Sequence, residues 1–384
     1  MSIVKYIGVD DPDLDLFESQ YMLPEGMCYN SYLIEDNEIT IVDTVDPRKT
    51  DEWLSNLKEA LNGQTPKYLL VQHVEPDHSG SIAAVMAEYP NLTIVASAKA
   101  EQFINQFFPN NSYAFKTVAE GDTLCIGKNT LSFIAAPMVH WPEVIVTYMD
   151  GEKILFSADA FGKFGVYNAD PDDWACEARR YYFNIVGKYG VQANNVLQKA
   201  AKLDIAKICP LHGPVLEGEK MAEAIRLYSI WTKYDVETPG GILIAHASIH
   251  GNTKKAAEKL AEILKEKGAK KVAVTDLCRD DMAEAIEDAF KMGTLVLAAS
   301  TYDGSVFPPM FYFLHKLQLK GFRNRRVGFI ENGTWTPMAA KVMKEMVEKM
   351  KDMQIIDPTI TLKSTMKDEN IVQMEALAEA IIKS

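Results

Sequence analysis

Residues 73–78 read His-Val-Glu-Pro-Asp-His and place two imidazoles and two carboxylates within six positions. They follow the apolar run 68–71, which has the length and composition of a buried strand. Imidazole nitrogen and carboxylate oxygen together favour zinc or iron, and a cluster of this size has more ligands than one tetrahedral ion needs. The sequence therefore predicts a loop that binds two metal ions. The alternative is a polar surface loop with incidental histidines, which the density of ligand types disfavours.

The length and charge of the chain narrow the class of protein. A chain of 384 residues exceeds the usual size of one hydrophobic core, so we expect two domains. A formal charge of -13 argues against a nucleic-acid partner, because phosphate-binding surfaces carry an excess of Lys and Arg. No apolar segment is long enough to cross a bilayer and no signal peptide is recognisable, so we expect a cytoplasmic protein.

The five cysteines form no Cys-x-x-Cys pair, which excludes a rubredoxin-type iron site or a zinc knuckle built from such pairs in this chain. Their scatter and odd number fit a reducing compartment. We expect each cysteine to be a small buried residue.

The two halves of the sequence have different patterns, and we place the domain boundary between residues 238 and 239, at the Pro-Gly-Gly interruption that follows a long helical stretch. Residues 1–238 mix helices with strands, and several hairpin-like pairs indicate antiparallel sheet. Residues 239–384 alternate apolar strands at 242–245, 272–274, 294–298, 327–330 and 359–362 with helices at 253–267, 282–292, 311–319, 338–353 and 371–383. This alternation predicts a doubly wound parallel sheet, an α/β fold.

Three more polar residues of the first half, His140, Asp159 and His212, also follow strand-like apolar runs. A single His or Asp at a strand end is usually structural, so each alone carries little weight. Loops from one edge of a sheet can nevertheless converge on one site. Together with residues 73–78 they predict a single polar centre.

The order of these residues resembles the metallo-β-lactamase superfold, an αββα sandwich in which such a loop, a later His, a bridging Asp and a last His hold two metals. Glu75 departs from the zinc hydrolases of that fold, which usually carry His there. A carboxylate in place of a neutral nitrogen favours iron. The pattern is that of flavodiiron proteins, or A-type flavoproteins. This resemblance implies His73, Glu75 and His140 as ligands of one non-haem iron, Asp77, His78 and His212 as ligands of the other, and Asp159 as the bridge.

The second half has its own candidate site after its first strand, where residues 248–253 read Ser-Ile-His-Gly-Asn-Thr and open a helix. Free backbone N–H groups and the helix dipole favour a phosphate at such a place. A simple helix cap is the alternative for this hexamer alone. Polar and aromatic residues after the strands at 294–298 and 327–330 would face the same edge of a parallel sheet, where ligands of open sheets bind.

This half resembles flavodoxin, and its loops occupy the places of the three FMN-binding loops. The dinucleotide fingerprint Gly-x-Gly-x-x-Gly is absent, so FMN is preferred to FAD or NAD. The implied cofactor-binding residues are Ser248, His250, Gly251, Asn252, Thr253, Ser300, Thr301, Tyr302, Asp303, Asn332, Gly333, Thr334 and Trp335. Asp303 stands where relatives commonly have Asn, and an ionised carboxylate near the flavin would make it a stronger reductant.

The resemblance covers about residues 3–383 and implies an oxidoreductase that reduces dioxygen to water, nitric oxide to nitrous oxide, or both. FMN would feed two non-haem irons with electrons from an external donor, such as rubredoxin or a reduced deazaflavin coenzyme. We expect the minimal two-domain kind of chain. Relatives bring FMN and iron together in a head-to-tail homodimer, so we expect that dimer, or a dimer of dimers, here.

Two other classes of function remain open at this point. One is a dizinc hydrolase fused to a flavodoxin, which Glu75 disfavours. The other is an electron carrier whose first domain docks a partner and binds no metal, which the full set of ligand types disfavours.

Overall fold

The computed structural model describes residues 3–169 and 173–383. The chain divides into two compact units, of which the first ends at Thr232 and the second begins at Lys233. The domain boundary between residues 238 and 239 stays a prediction. No helix in the described ranges has both the length and the apolar character needed to span a membrane.

The first unit is built from short strands and helices. Its strands are β1 (Val4–Tyr6), β2 (Val9–Asp11), β3 (Leu16–Phe17), β4 (Tyr21–Met22), β5 (Met27–Tyr29), β6 (Tyr32–Ile34), β7 (Thr40–Val42), β8 (Tyr68–Leu70), β9 (Thr93–Ser97), β10 (Ala114–Val118), β11 (Thr123–Cys125), β12 (Thr130–Ala135), β13 (Ile145–Met149), β14 (Ile154–Phe156), β15 (Lys207–Cys209) and β16 (Leu216–Glu217). Its α-helices are α1 (Thr50–Leu61), α2 (Pro76–Ser79), α3 (Ile82–Glu88), α4 (Ala98–Phe107), α5 (Trp174–Tyr181), α6 (Gly190–Ala200) and α7 (Gly218–Trp231).

Two six-stranded sheets form the centre of this unit, with strand orders β1-β6-β7-β8-β9-β10 and β11-β12-β13-β14-β15-β16. Apolar side chains from both sheets, among them Leu70 and Val95 from the first and Phe133 and Phe156 from the second, pack into one buried cluster. Helix α4 contacts β9 and β10, whereas α6 and α7 contact strands of the second sheet. The arrangement is the predicted αββα sandwich.

The second unit contains strands β17 (Thr238–Ala247), β18 (Lys271–Asp276), β19 (Met292–Tyr302), β20 (Ser305–Val306), β21 (Arg326–Asn332), β22 (Gln354–Ile355) and β23 (Ile360–Leu362). Its helices are α8 (Asn252–Glu266), α9 (Met282–Lys291), α10 (Pro308–Leu319), α11 (Ala339–Val347) and α12 (Asp368–Ile382). The strand order β18-β17-β19-β21 is parallel throughout, with β22 and β23 also parallel to β21. Strands β17 and β19 have continuous buried runs because helices cover both sheet faces.

The predicted fold class, a metallo-β-lactamase-like domain followed by a flavodoxin-like one, is confirmed. One helix is shorter than predicted: α11 ends at Val347 and not at residue 353. The chain leaves the helix because Gln354 and Ile355 pair with β21, and this tertiary contact overrides helical periodicity.

The expectation that every cysteine is buried is wrong for three of the five. Cys28 and Cys209 are buried, but Cys125 and Cys176 are exposed and Cys278 is partly exposed. Cys125 lies on the outward face of the edge strand β11, where alternate residues point to solvent.

Candidate metal centre

The loop after β8 is folded by local contacts that place its polar side chains on one side. Pro76 begins the short helix α2, where its fixed φ suits the first helical position. The Ser79 hydroxyl donates to the Val74 carbonyl at 2.7 Å, and the His78 N–H donates to the Glu75 carbonyl at 2.9 Å. These bonds close the loop into a compact turn.

All seven predicted ligand residues lie in one centre, in two groups. The first group contains His73, Glu75, His140 and Asp159, and the second contains Asp77, His78 and His212. This partition matches the two ligand sets that the family resemblance implied. Each residue is buried except Glu75, which is partly exposed.

The first group is arranged around Glu75. A carboxylate oxygen of Glu75 lies 2.9 Å from Nε2 of His140 and 3.3 Å from Nε2 of His73. In the second group, Oδ2 of Asp77 lies 3.3 Å from Nε2 of both His78 and His212. Each group therefore directs nitrogen and oxygen atoms at a common point.

Asp159 faces both groups with different oxygens. Its Oδ2 lies 3.4 Å from Nε2 of His73 and 3.2 Å from Nε2 of His140. Its Oδ1 lies 3.1 Å from Nε2 of His78 and 3.7 Å from Nε2 of His212. A carboxylate in this position can bridge two cations. Burial acts to raise the pKa of Asp159, but His78 and His73 hold it well below its usual range, so the carboxylate is anionic.

Within the described residues, several buried polar atoms of the centre have no hydrogen-bond partner in suitable geometry, although buried polar groups are normally paired. They include both carboxylate oxygens of Asp77, both ring nitrogens of His78, Oδ1 of Asp159 and Nε2 of His212. Unpaired nitrogen and oxygen atoms within two close groups of this kind are the pattern expected of ligands to metal ions. The residues present therefore fit a two-metal site.

Two neighbouring groups fix the tautomers of His73 and His212. Nδ1 of His73 lies 2.7 Å from Oε1 of Glu143, which also accepts the Val74 N–H at 3.0 Å. Nδ1 of His212 lies 2.8 Å from the Cys28 carbonyl oxygen, which can only accept. In both rings Nδ1 therefore carries the proton, and Nε2 presents a lone pair to a metal.

The loop that carries His212 is held by residues that no sequence pattern singled out. The buried Asn30 side chain donates to the Pro210 carbonyl at 2.8 Å and to the Gly213 carbonyl at 2.7 Å. The Tyr32 hydroxyl donates to the Pro210 carbonyl at 2.8 Å. Polar atoms brought in from β5 and β6 thus fix the position of His212.

The three predicted FMN loops lie at the same edge of the second sheet. They follow β17, β19 and β21, which are adjacent and parallel. Gly251 stands just before α8 with φ +86, and the Ser248 hydroxyl accepts its N–H at 3.0 Å. The open α8 N-terminus, which has no side-chain cap, fits a phosphate.

Some of the other predicted flavin contacts are exposed side chains, and others are hydrogen-bonded within the protein or lie in a turn. Tyr302 is 45 % exposed and Trp335 is 88 % exposed, so both offer faces to a planar ring. The Asn332 amide is occupied by Ser364, with which it exchanges two hydrogen bonds of 2.9 and 3.1 Å. Asp303, with φ +48, lies in the tight turn between β19 and β20.

The remaining predicted contacts hold the loops together or face solvent. The Thr253 and Ser300 hydroxyls lie 3.0 Å apart and tie the first loop to the second. The Thr301 hydroxyl accepts the N–H of Met338 at 2.9 Å. His250 and Thr334 are exposed, whereas Asn252 and Gly333 are partly exposed. The loops, tied together by hydrogen bonds, therefore form an open edge that fits FMN.

The fold and the two sites define a class of protein, a metallo-β-lactamase-like domain with a buried histidine and carboxylate centre joined to a flavodoxin domain. Comparison with family models agrees with this division. The model described as "ODP family beta lactamase" matches residues 27–213, and the one described as "Flavodoxin domain" matches residues 243–364. The chain belongs to the flavodiiron protein family.

Among curated relatives, the anaerobic nitric oxide reductase flavorubredoxin of Salmonella paratyphi A is 28% identical over 344 residues, covering 87% of this chain and 71% of that protein. The crystal structure of the flavodiiron protein from Giardia intestinalis has a TM-score of 0.92 and 24% identity, and the match covers 99% of this chain and 95% of that one. Rubredoxin oxygen:oxidoreductase from Desulfovibrio gigas has a TM-score of 0.91 and 24% identity, covering 99% and 96%. At these identities the two structures show the shared fold.

Proposed function

We propose that this chain reduces dioxygen to water, nitric oxide to nitrous oxide, or both, at a non-haem diiron centre supplied with electrons by FMN. The observation that carries the proposal is Asp159, whose two oxygens face two separate groups of buried ligands. Two redox-active ions held by these residues would supply electrons for the reduction of a small gas molecule. The names of the relatives support both gases, since one is a nitric oxide reductase and another an oxygen oxidoreductase.

Iron is proposed in preference to zinc because of Glu75. Its carboxylate contacts both His73 and His140, so the first group offers two nitrogens and two anionic carboxylates. Harder, more anionic ligand sets favour iron and its ferric state. When bound, the iron ions would supply the binding and reduction of the gas.

The protein's own residues would prepare this centre. Glu143 and the Cys28 carbonyl hold His73 and His212 in the tautomer that presents Nε2. Asp159 stays anionic and would hold the two ions at a fixed separation. Burial of the histidines excludes bulk water from all but the partly exposed Glu75 side.

FMN is proposed at the loops after β17, β19 and β21, with the phosphate at the start of α8. Electrons would come from a separate carrier, such as rubredoxin or a reduced deazaflavin coenzyme. No disulfide links the five cysteines, all of which lie in the described residues, and this supports a reducing, cytoplasmic location. Rubredoxin appears in the name of the Desulfovibrio gigas relative, which supports a donor of that kind.

Metal replacement tests the proposed function directly. The apoprotein is loaded with iron or with zinc, and each form is reduced and supplied with each gas. We expect gas reduction by the iron form alone, with about two metal ions and one FMN bound to each chain. Hydrolytic activity of the zinc form, together with no gas reduction by the iron form, would support the dizinc hydrolase instead.

A head-to-tail homodimer, or a dimer of such dimers, is part of the proposal. Two inactive variants test it: His140→Ala, which removes a metal ligand, and Gly251→Val, which places a β-branched residue at φ +86 in the phosphate loop. In a mixed head-to-tail dimer, intact FMN on the first variant faces an intact metal centre on the second. We expect activity in the mixed dimer and in neither homodimer. An active monomer in sedimentation would contradict the arrangement.

A further inference from the structure

A surface cavity of about 270 Å³ lies against the metal centre. Its lining includes Glu75 from the first ligand group and Asp77 from the second, together with Glu18 and Ser19 at the turn between β3 and β4. Glu18 is exposed to solvent. The cavity therefore connects a solvent-facing carboxyl group with a ligand of each proposed iron, and has room for water molecules, each of which needs about 30 Å³.

The hairpin that carries Glu18 is fixed to the centre. The Phe17 ring packs edge-on against His212, with ring centroids 5.6 Å apart. On the other strand, the buried Tyr21 hydroxyl donates to the Asn184 carbonyl at 3.1 Å. The position of Glu18 at the cavity mouth is thus set by both strands of the hairpin.

Among the carboxylates that line this cavity, Glu18 is the one that is neither ion-paired nor a proposed metal ligand. Asp46 forms an ion pair with Arg48 at 2.9 Å. Glu75 and Asp77 belong to the two ligand groups. Glu18, in contrast, accepts a hydrogen bond only from the exposed Gln20 amide, at 3.1 Å, among the contacts of the described residues.

The proposed reaction consumes protons that the buried ligands cannot supply while they hold metal. Reduction of O₂ with four electrons takes up four protons and gives two water molecules. Reduction of two NO molecules with two electrons takes up two protons and gives N₂O and one water molecule. We propose that Glu18 passes these protons from solvent through the cavity to the metal centre, an inference that rests on the proposed function.

The charges around Glu18 suit this role. Although Glu18 is exposed as a whole residue, desolvation of its carboxyl group by the surrounding protein and then the charge of Glu75 raise its pKa, whereas His140 and the Gln20 hydrogen bond act in the opposite direction. The other ionisable groups that face the cavity are Tyr29, Asp46, Arg48 and Asp77. General acids work best when their pKa is near the working pH, and a raised pKa moves Glu18 in that direction.

The test compares iron-loaded Glu18→Gln, Glu18→Asp and the control Asp13→Asn, which removes a charge from a neighbouring cavity. Gas consumption and its solvent deuterium isotope effect are measured across pH, and NO binding to the reduced protein is followed separately by its spectrum. For Glu18→Gln we expect about a tenfold or greater loss of reduction rate. We expect the rate of the parent to fall as the pH rises through the pKa of Glu18, and this fall to be absent in Glu18→Gln. Glu18→Asp should recover much of the rate, and NO binding and iron content should be unchanged in all three.

Two results would overturn the relay while leaving the proposed function intact. One is an active parent together with a Glu18→Gln variant of unchanged rate, pH profile and isotope effect. The other is slower NO binding in Glu18→Gln, which would show that Glu18 controls gas access. If the iron-loaded parent reduces neither gas, the proposed function itself fails.

Discussion

Nδ1 of His73 lies 2.7 Å from a carboxylate oxygen of Glu143, and neither side chain is exposed to solvent. The same oxygen accepts the Val74 N–H, so Glu143 orients both the ring and the loop that carries it. A carboxylate behind a metal-binding imidazole fixes the ring and raises its basicity. Glu143 is therefore a positioning residue for the proposed iron centre.

We predict that Glu143→Gln weakens iron binding by about 10–100-fold, because the amide keeps a hydrogen bond to His73 but loses the charge. The measurement is competition for ferrous iron with a chelator of known affinity. The control is Glu101→Gln, which alters a partly exposed residue that accepts a hydrogen bond from the Thr117 hydroxyl. Equal iron affinity in parent, variant and control would show that Glu143 has no such role.

Asn30 should contribute to both stability and metal binding. Asn30→Ala leaves the buried Gly213 carbonyl without the side-chain donor seen here, which costs about 1–3 kcal/mol in the free energy of unfolding. The Pro210 carbonyl keeps its bond from Tyr32. Urea unfolding of the metal-free protein measures the loss, with the exposed Asn91→Ala as control. A variant as stable as the parent would contradict the proposed clamp on the His212 loop.

The choice of metal should depend on Glu75. We predict that Glu75→His binds zinc more readily than the parent and loses gas reduction, because a neutral nitrogen replaces an anionic oxygen in contact with His73 and His140. Metal content after growth or refolding with equal iron and zinc gives the first value, and gas consumption by the iron-loaded variant gives the second. Full activity in this variant would remove the argument for iron.

Asp303 should lower the reduction potential of bound FMN. It lies in the β19–β20 turn, next to the exposed Tyr302 face. We predict that Asp303→Asn raises the flavin potentials, because removal of a nearby negative charge stabilises the reduced, anionic flavin. A redox titration measures both one-electron steps. The control is Glu375→Gln, which alters an exposed residue of α12. Unchanged potentials in Asp303→Asn would exclude this effect.

The sequence was sufficient for the fold and for the candidate ligands. Alternating apolar strands and helices predicted the second sheet. The seven candidate ligand residues could be found because each follows a strand whose position the apolar pattern gives. The end of α11 could not be predicted, since a strand pairing formed by distant residues decides it.

The residues that support the ligands were missed for a related reason. Glu143 is 70 positions from His73 and Asn30 is 180 positions from Pro210, so their contacts exist only after folding. One signal was available for Glu143: it precedes the apolar run 144–146, where an acidic residue must be paired if it is buried. Glu18 carried no such signal, because its role depends on a cavity.

Anaerobic stopped-flow of the fully reduced, iron- and FMN-loaded protein against each gas is the sharpest test of gas reduction by this chain. We predict that at least one gas reoxidises flavin and iron within a single turnover, giving water without hydrogen peroxide from O₂, or nitrous oxide from NO, and that His140→Ala does neither. The account would be contradicted if the loaded parent released peroxide from O₂ as free reduced flavin does, formed no nitrous oxide from NO, and matched His140→Ala with both gases.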